Sequence, residues 1–519
     1  MFRQLLSYDS DTIEDKPLFW STIILVLLAA LFVTLRFWDI TTYSLWGGEA
    51  FTMIGAQKSW SGMFDYIVAD IVHPPLIYIL LKLWIAVGGE SVFWLKLFPV
   101  LSGVAVIVPF LLLCRELNFR LPEINLTLLI VAVNGYLVHY AQELRMYSLF
   151  MFLALCSFWL FVQYYNSPGR ATGQLLLLTA VNLLAIYTHY YGWVVLGMEF
   201  LFLLLWQRRR TVAFSLSMLF LLTSFAPWAY LVVREARSIG GLAKNLDWIP
   251  KPGVSDILKL YITFNGPVGN LYVKLIGLTL FGLPLLWWAW QLVRAGFSER
   301  KNEWIRFSWL ALLAFVPVLA LFVVSQFMAQ AVWMDRYFIF IAIPYMMLVA
   351  TAVYQLKPYW LRCVWIAAIV IWSLLAGFSD LSTNRIAWES PQLGSRLDWD
   401  GLVQQMIVAE AGSTGPINVY TLTVISGGYR TGDWALSTSI NYFTDLYDDD
   451  RFRTVYARDI YDLLERVEEE HFWVGFFELT EWPVPSPATV LAEHGYRIGE
   501  TLIFQEQSER LVLAQVRRQ

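Results

Sequence analysis

Apolar residues run in long blocks along the first three quarters of the chain, each closed by a short polar stretch. A bilayer-crossing helix needs about 20 mostly apolar residues. The blocks at 18–37, 93–113, 122–139, 146–165, 173–189, 192–206, 212–232, 269–294, 305–325, 336–355 and 361–378 each predict such a helix, eleven in all. The first is not a cleavable signal, because Asp9, Asp11, Glu14 and Asp15 precede it and no small-residue cleavage site follows. Residues 74–88 are apolar but too short to span, which predicts an interfacial or re-entrant helix.

The apolar blocks stop near Phe378. Beyond them, Ile417–Leu422, Thr454–Ala457, Phe472–Phe477 and Tyr496–Phe504 read as strands, and Leu402–Ala411 and Ile460–Glu469 as amphipathic helices. The predicted fold class is therefore a polytopic α-helical membrane protein. It has about eleven transmembrane helices, interfacial helices in its first outer loop and a C-terminal soluble α/β domain. The expected domains are 1–380, including the loops 38–92 and 233–268, and 381–519. Gly427-Gly428 lacks the flanking pattern of a phosphate-binding loop. Asp448-Asp449-Asp450 reads as a solvated acidic loop rather than a cation site.

Charge sharpens this division. From Asp380 onward there are 22 acidic residues, 11 Arg and no Lys, a balance of −11, which leaves +7 for the preceding part. If 74–88 does not cross, Arg115, Arg120, Arg170, Arg208-Arg209-Arg210, Arg294, Arg300, Lys301, Arg306, Lys357 and Arg362 share one side with the N-terminus. The positive-inside rule makes that side cytoplasmic. The acidic C-terminal domain and the loops 38–92, 140–145, 233–268 and 326–335 then lie outside, in a plasma or inner membrane.

Composition agrees. The chain of 519 residues is 58% hydrophobic, 17% aromatic and only 15% charged, against about 25% charge for soluble domains. A net charge of −4 excludes a nucleic-acid binder that works through a basic surface. Cys114, Cys156 and Cys363 are too few and dispersed for a disulfide framework or a Cys-based zinc site.

The outer segments carry the candidate chemistry. Glu49 follows the first span among small and apolar neighbours. A carboxylate there serves as general base or metal ligand, or caps a helix start. His73 precedes Pro74-Pro75 and suits a metal, a phosphate or a helix cap. Gln142, Glu143, Arg145 and Tyr147 form a dense polar group between two apolar blocks, where charge is costly and often functional. Tyr187-Thr188-His189-Tyr190-Tyr191 ends another span, either as an aromatic belt or as part of a site. Asp335-Arg336-Tyr337 opens the tenth block, and the forked donors of Arg336 suit a phosphate as well as a lipid headgroup. Together these groups describe a site for a phosphorylated lipid.

Trp46–Ala50, His73-Pro74-Pro75-Leu76-Ile77-Tyr78, Gln142–Tyr147, Tyr187–Tyr190 and Arg336-Tyr337 occur in the order found in one family. Over roughly residues 18–380 the chain resembles the C-type membrane glycosyltransferases of the protein-mannosyltransferase and aminoarabinose-transferase superfamily. Residues 248–258 in the fourth outer loop share that likeness. The resemblance implies transfer of a sugar from a polyprenyl-monophosphate donor to a lipid, glycan or protein acceptor on the outer face. It implies Arg145, Arg336, His73, Tyr147, His189 and Tyr337 around the donor phosphate. Glu49 is the expected base, Glu143 the second candidate, and Glu49 with His73 a candidate pair for a divalent metal. Gly48 stands where the family carries its first acidic residue. Either Glu49 takes over that role, or the chain is an engineered or naturally degenerate member that binds donor without turnover. Asp70 is the weaker acidic candidate, because two residues separate it from His73 where one is usual. A lipid transporter is the rival class, but no internal repeat is seen and the polar groups gather at one surface rather than mid-membrane.

Overall fold

A computed structural model describes residues 15–42, 44–169, 171–237, 249–266, 271–383, 398–422, 424–426, 429–431, 433–479, 487–506 and 509–518. Asp9, Asp11, Glu14, Trp248, Gly427 and Gly428 lie outside them. The chain divides into two compact units. The first holds residues 1–38, 67–77 and 96–389; the second holds 39–66, 78–95 and 390–519.

All eleven predicted spans contain helix. Among the described residues, eight helices are long and apolar enough to cross a membrane. A ninth candidate is a bent pair, Leu121–Val133 and Gly135–Gln142, with 60° between its halves. Thr172–Thr188 and Gly192–Trp206 are apolar but only 17 and 15 residues long. The chain is thus a polytopic helical membrane protein. Leu76–Gly88, at 13 residues, is too short to span.

A polar network ties three helices of the first unit together. Ser157 Oγ lies 2.6 Å from both Asn182 Oδ1 and Glu199 Oε1, and Asn182 Nδ2 donates to Glu199 Oε2 at 3.0 Å. Buried polar groups need such partners, and here they fix Tyr147–Asn166, Thr172–Thr188 and Gly192–Trp206 against each other. The ends of those helices carry Tyr147 and His189.

In the second unit, helix Gly47–Gln57 packs on helix Asp433–Leu446. Lys82 Nζ donates to the carbonyls of Ala56 (3.0 Å) and Lys58, closing the carbonyl end of Gly47–Gln57 as the helix dipole favours. Trp84 and Trp94 stack at 4.3 Å, and each indole donates to the other's carbonyl, at 2.8 and 2.9 Å.

The C-terminal part carries a five-stranded sheet. Its strands are β1 (Ile417–Leu422), β4 (Phe452–Ala457), β5 (His471–Leu479), β6 (Tyr496–Glu506) and β7 (Glu509–Arg518), in the order β4-β1-β5-β7-β6. β4, β1 and β5 are parallel; β7 and β6 return antiparallel. A separate pair, β2 (Val424–Ser426) and β3 (Tyr429–Thr431), is antiparallel. One face buries Tyr420, Leu463, Phe472, Val474, Leu491 and Val516. The four predicted strands are present. β7 was not predicted, because its short apolar stretch is hemmed by Glu509-Arg510 and Arg517-Arg518, which mask the alternation.

Candidate functional site

In the first unit, the segment after helix Trp60–Asp70 brings Asp70 to His73. Two residues lie between them, and the extra one is absorbed at Ile71, which has a left-handed φ of 53°. That conformation is unusual for a β-branched residue and is held only where the surroundings enforce it. Tyr190 supplies part of that, its hydroxyl donating to Ile71 O at 2.8 Å. The chain reverses, and Asp70 Oδ2 lies 2.6 Å from His73 Nδ1. Asp70, discounted on spacing, is therefore part of this cluster.

The other ring nitrogen fixes the proton. Arg145 Nη2 lies 2.7 Å from His73 Nε2. A guanidinium has only donors, so Nε2 must accept. Nδ1 then carries the hydrogen and donates to Asp70. His73 and Arg145 are both buried. Burial lowers the pKa of His73 below its ordinary value, Asp70 opposes this, and the charges of Arg145 and Arg336 add to the lowering. The result is a neutral imidazole between a carboxylate and a guanidinium.

Arg145 follows a tight turn in which its amide donates to Glu143 O at 2.6 Å. Arg336 has its Cζ 5.9 Å from the Tyr147 ring centroid and 5.7 Å from that of Tyr337, and the field of Glu143 reaches it. His189 stacks on Phe150 at 5.0 Å and meets Tyr337 edge-on at 4.9 Å. The Tyr191 amide donates to His189 Nδ1 at 3.1 Å, leaving Nε2 to carry the hydrogen. The structure thus gathers His73, Glu143, Arg145, Tyr147, His189, Arg336 and Tyr337 within one unit, together with Asp70, Tyr190 and Tyr191.

Gly48 and Glu49 belong to the second unit. Glu49 sits in the first turn of Gly47–Gln57, 1% exposed, and its Oε2 accepts from the Trp46 amide at 3.2 Å. It caps its own helix start, although buried rather than facing water. Burial raises the pKa of the nearby Tyr442 phenol, and the charges of Glu90, Asp400 and Glu49 raise it further. At Gly48 the position of a missing acid is filled. A Cβ there would lie 2.5 Å from Cζ2 and 2.6 Å from Cη2 of Trp46, itself buried. The absent side chain is matched by the indole that occupies its space.

Among the described residues, no three of His, Cys, Asp or Glu gather as metal ligands. Of the two residues expected to hold a metal, His73 has both ring nitrogens engaged, one of them by a cation, and Glu49 accepts from the Trp46 amide.

No protein-family profile matches the chain. No curated protein matches it either. Solved structures do. ArnT from Cupriavidus metallidurans bound to undecaprenyl phosphate superposes with a TM-score of 0.55 at 14% sequence identity, covering 94% of this chain and 97% of that one. The same protein in its apo state gives 0.55 and 14%, covering 95% and 98%. An Archaeoglobus fulgidus oligosaccharyltransferase in complex with Zn and sulfate is more distant, with a TM-score of 0.46 over 81% of this chain and 61% of that one. The chain shares the fold of ArnT.

Proposed function

We propose that this protein is an integral-membrane glycosyltransferase that moves a sugar from a polyprenyl-monophosphate donor to a lipid, glycan or protein acceptor at the outer face of a plasma membrane. The observation that carries the reading is the Asp70–His73–Arg145 chain, its imidazole and guanidinium buried, with Arg336 and a wall of aromatic rings in the same unit. Two guanidiniums amid phenols and imidazoles suit a phosphate, because forked donors bind its oxygens. The solved relative bound to undecaprenyl phosphate shares the fold and supports the donor class. The positive-inside count supports a cytoplasmic N-terminus and an outer C-terminal domain.

The acceptor oxygen attacks the anomeric carbon, and the bond from that carbon to the phosphate oxygen breaks. The electron pair leaves with the polyprenyl monophosphate. Arg145 and Arg336 stabilise the charge that grows on the leaving phosphate. His73 holds Arg145 in place through Nε2. The acceptor proton goes to a carboxylate, and Glu143, in the same unit as the two guanidiniums, is our assignment. The apolar surface beside this end of the bundle takes the isoprenoid tail.

The test is transfer of radiolabel from a panel of polyprenyl-phosphate sugars by the purified protein. Label moving to an acceptor in the wild type and not in Arg145→Met supports the assignment. Saturable binding of undecaprenyl monophosphate without transfer from any donor favours a second reading, a donor-binding protein without turnover. The Trp46 ring over Gly48 motivates that alternative. Neither binding nor transfer overturns both.

A further inference from the structure

The C-terminal end of the first span carries a cation that the proposed chemistry does not use. Arg36, near the end of Asp15–Phe37, is 0% exposed. Its guanidinium donates to Phe32 O at 3.1 Å, to Ala132 O at 3.0 Å and to Val131 O at 3.0 Å. Its Cζ lies 3.5 Å from the Phe32 ring centroid. Among the described residues, every hydrogen bond of this guanidinium goes to a backbone carbonyl. A buried charge is costly unless compensated. Here the carbonyl ends of two helices provide the compensation, since their dipoles favour a cation.

Those carbonyls belong to a break. Leu121–Val133 stops at Asn134 and resumes as Gly135–Gln142, turned by 60°. A helix end leaves its last carbonyls without helical partners. Arg36 takes two of them. Asn134 caps the next piece, its Oδ1 accepting from the Leu137 amide at 3.1 Å while its Nδ2 donates to Phe264 O at 3.2 Å. Glycine at 377 lets helix Tyr359–Thr383 approach the break, since a Cβ there would lie 2.7 Å from Val133 O. The far end of the second piece is tied back to the first span. Gln142 Nε2 donates to Arg36 O at 3.2 Å and to Trp38 O at 2.7 Å. Glu143 and Arg145 follow immediately.

We propose that Arg36 is a positioning residue: by holding the break at Asn134, and together with Gln142, it sets the turn that presents Glu143 and Arg145. The inference rests on the donor role given to Arg145 above. Arg36 is not itself a phosphate ligand, because its guanidinium is sealed from the surface and both its Nη atoms are bonded to carbonyls.

The experiment compares the two ends of one helix pair, using full-length protein in detergent and undecaprenyl monophosphate as the probe. Asn125 Nδ2 donates to Ser21 O at 2.9 Å, bracing the same two helices away from the turn. Arg36→Lys, which keeps the charge but not the fork, is expected to weaken probe binding about tenfold, the size of a lost charge-assisted bond. Gln142→Met acts in the same direction, and the double variant binds no worse than the weaker single variant. Hydrogen exchange at amides 143–146 quickens in both. Asn125→Ala lowers the melting temperature but changes neither affinity nor that exchange. If Arg36→Lys behaves like Asn125→Ala, or if the two losses simply add, the positioning role is overturned. If the wild type does not bind the probe, the donor reading fails by itself. The exchange arm then still decides Arg36, since unchanged exchange at 143–146 in Arg36→Lys rejects the proposal.

Discussion

Arg145 donates to Nε2 of His73 at 2.7 Å, so the imidazole must keep a lone pair for the site to hold its shape. Protonation would set an N–H against a guanidinium. Because the folded pKa lies below the ordinary value, the unfolded chain binds the proton more readily. The stability from neutral His73 is full above about pH 6.5, the free-imidazole value, and is lost as pH falls through the folded value. Melting temperatures measured across this range are expected to fall on the acid side in the wild type and to fall less in His73→Gln. Parallel curves for the two proteins would reject the assignment.

Asp70 acts through the same ring. Asp70→Asn leaves a hydrogen-bond partner but removes the charge that orients Nδ1–H. It is expected to weaken undecaprenyl monophosphate binding several-fold with little change in melting temperature. An Asp70→Asn protein that binds as tightly as wild type would make Asp70 a bystander.

Tyr190 links the strained turn to the helices. Its hydroxyl donates to Ile71 O and accepts from Trp228 Nε1 at 3.2 Å. Tyr190→Phe leaves both groups without this partner, at a cost of about 1–3 kcal/mol for a buried polar group. Lower thermal stability together with weaker probe binding is expected. Lost stability with unchanged binding would separate Tyr190 from the site.

How much of this was legible in the sequence differs by residue. Eight of the expected spans were readable because bilayer thickness demands length, and length survives in one sequence; the bent pair and the two shorter helices leave the count of eleven unmet among the described residues. Arg145 and Arg336 stood out because charge between apolar blocks is rare. Asp70 was discounted because two residues separate it from His73 where one is usual in the family it resembles, whereas the left-handed φ at Ile71, which only the folded surroundings enforce, still brings the two together. Arg36 gave no signal, since nothing local shows that its partners lie 95 and 96 residues away. The five-stranded sheet was legible in four strands but not in its order, which depends on pairings distant in sequence. Gly48 read as a missing acid; the sequence could not show that Trp46 fills its place.

Gly48 itself gives a direct test. An added Cβ would meet the Trp46 ring at 2.5 Å, and a rigid buried indole cannot yield without repacking. Gly48→Ala is expected to cost about 1–3 kcal/mol by overpacking. Gly48→Asp adds a buried charge to that clash, so it should destabilise rather than restore a catalytic acid. Combining it with Trp46→Leu makes room and should recover part of the loss. Thermal unfolding of the four proteins measures this, and a Gly48→Ala protein as stable as wild type would refute the packing account.

Glu410 holds the C-terminal sheet from inside. Its Oε1 accepts from His471 Nε2 (2.8 Å), Trp473 Nε1 (2.8 Å) and Gln515 Nε2 (2.7 Å), and its Oε2 accepts from Ser413 Oγ at 2.5 Å. Helix Trp399–Ala409 is thereby bound to β5 and β7. Burial raises the Glu410 pKa, but the bonds from Ser413, Gln515, Trp473 and His471 outweigh it, leaving the carboxyl below its ordinary value. The native state therefore holds this proton less readily than the unfolded chain. The stabilisation is present above the ordinary carboxyl pKa of about 4.3 and is lost as pH falls through the lower folded value. Glu410→Ala strands several donors and is expected to cost about 3 kcal/mol at neutral pH. Glu410→Gln keeps one acceptor and should cost less. Chemical denaturation of the full-length protein, followed by hydrogen exchange in β5 and β7, reads the effect on the sheet itself. As pH is lowered, wild type and Glu410→Ala should converge, because acid removes from the wild type what the substitution has already removed. A gap that stays constant down to acid pH would show that the carboxylate charge is not what holds these strands.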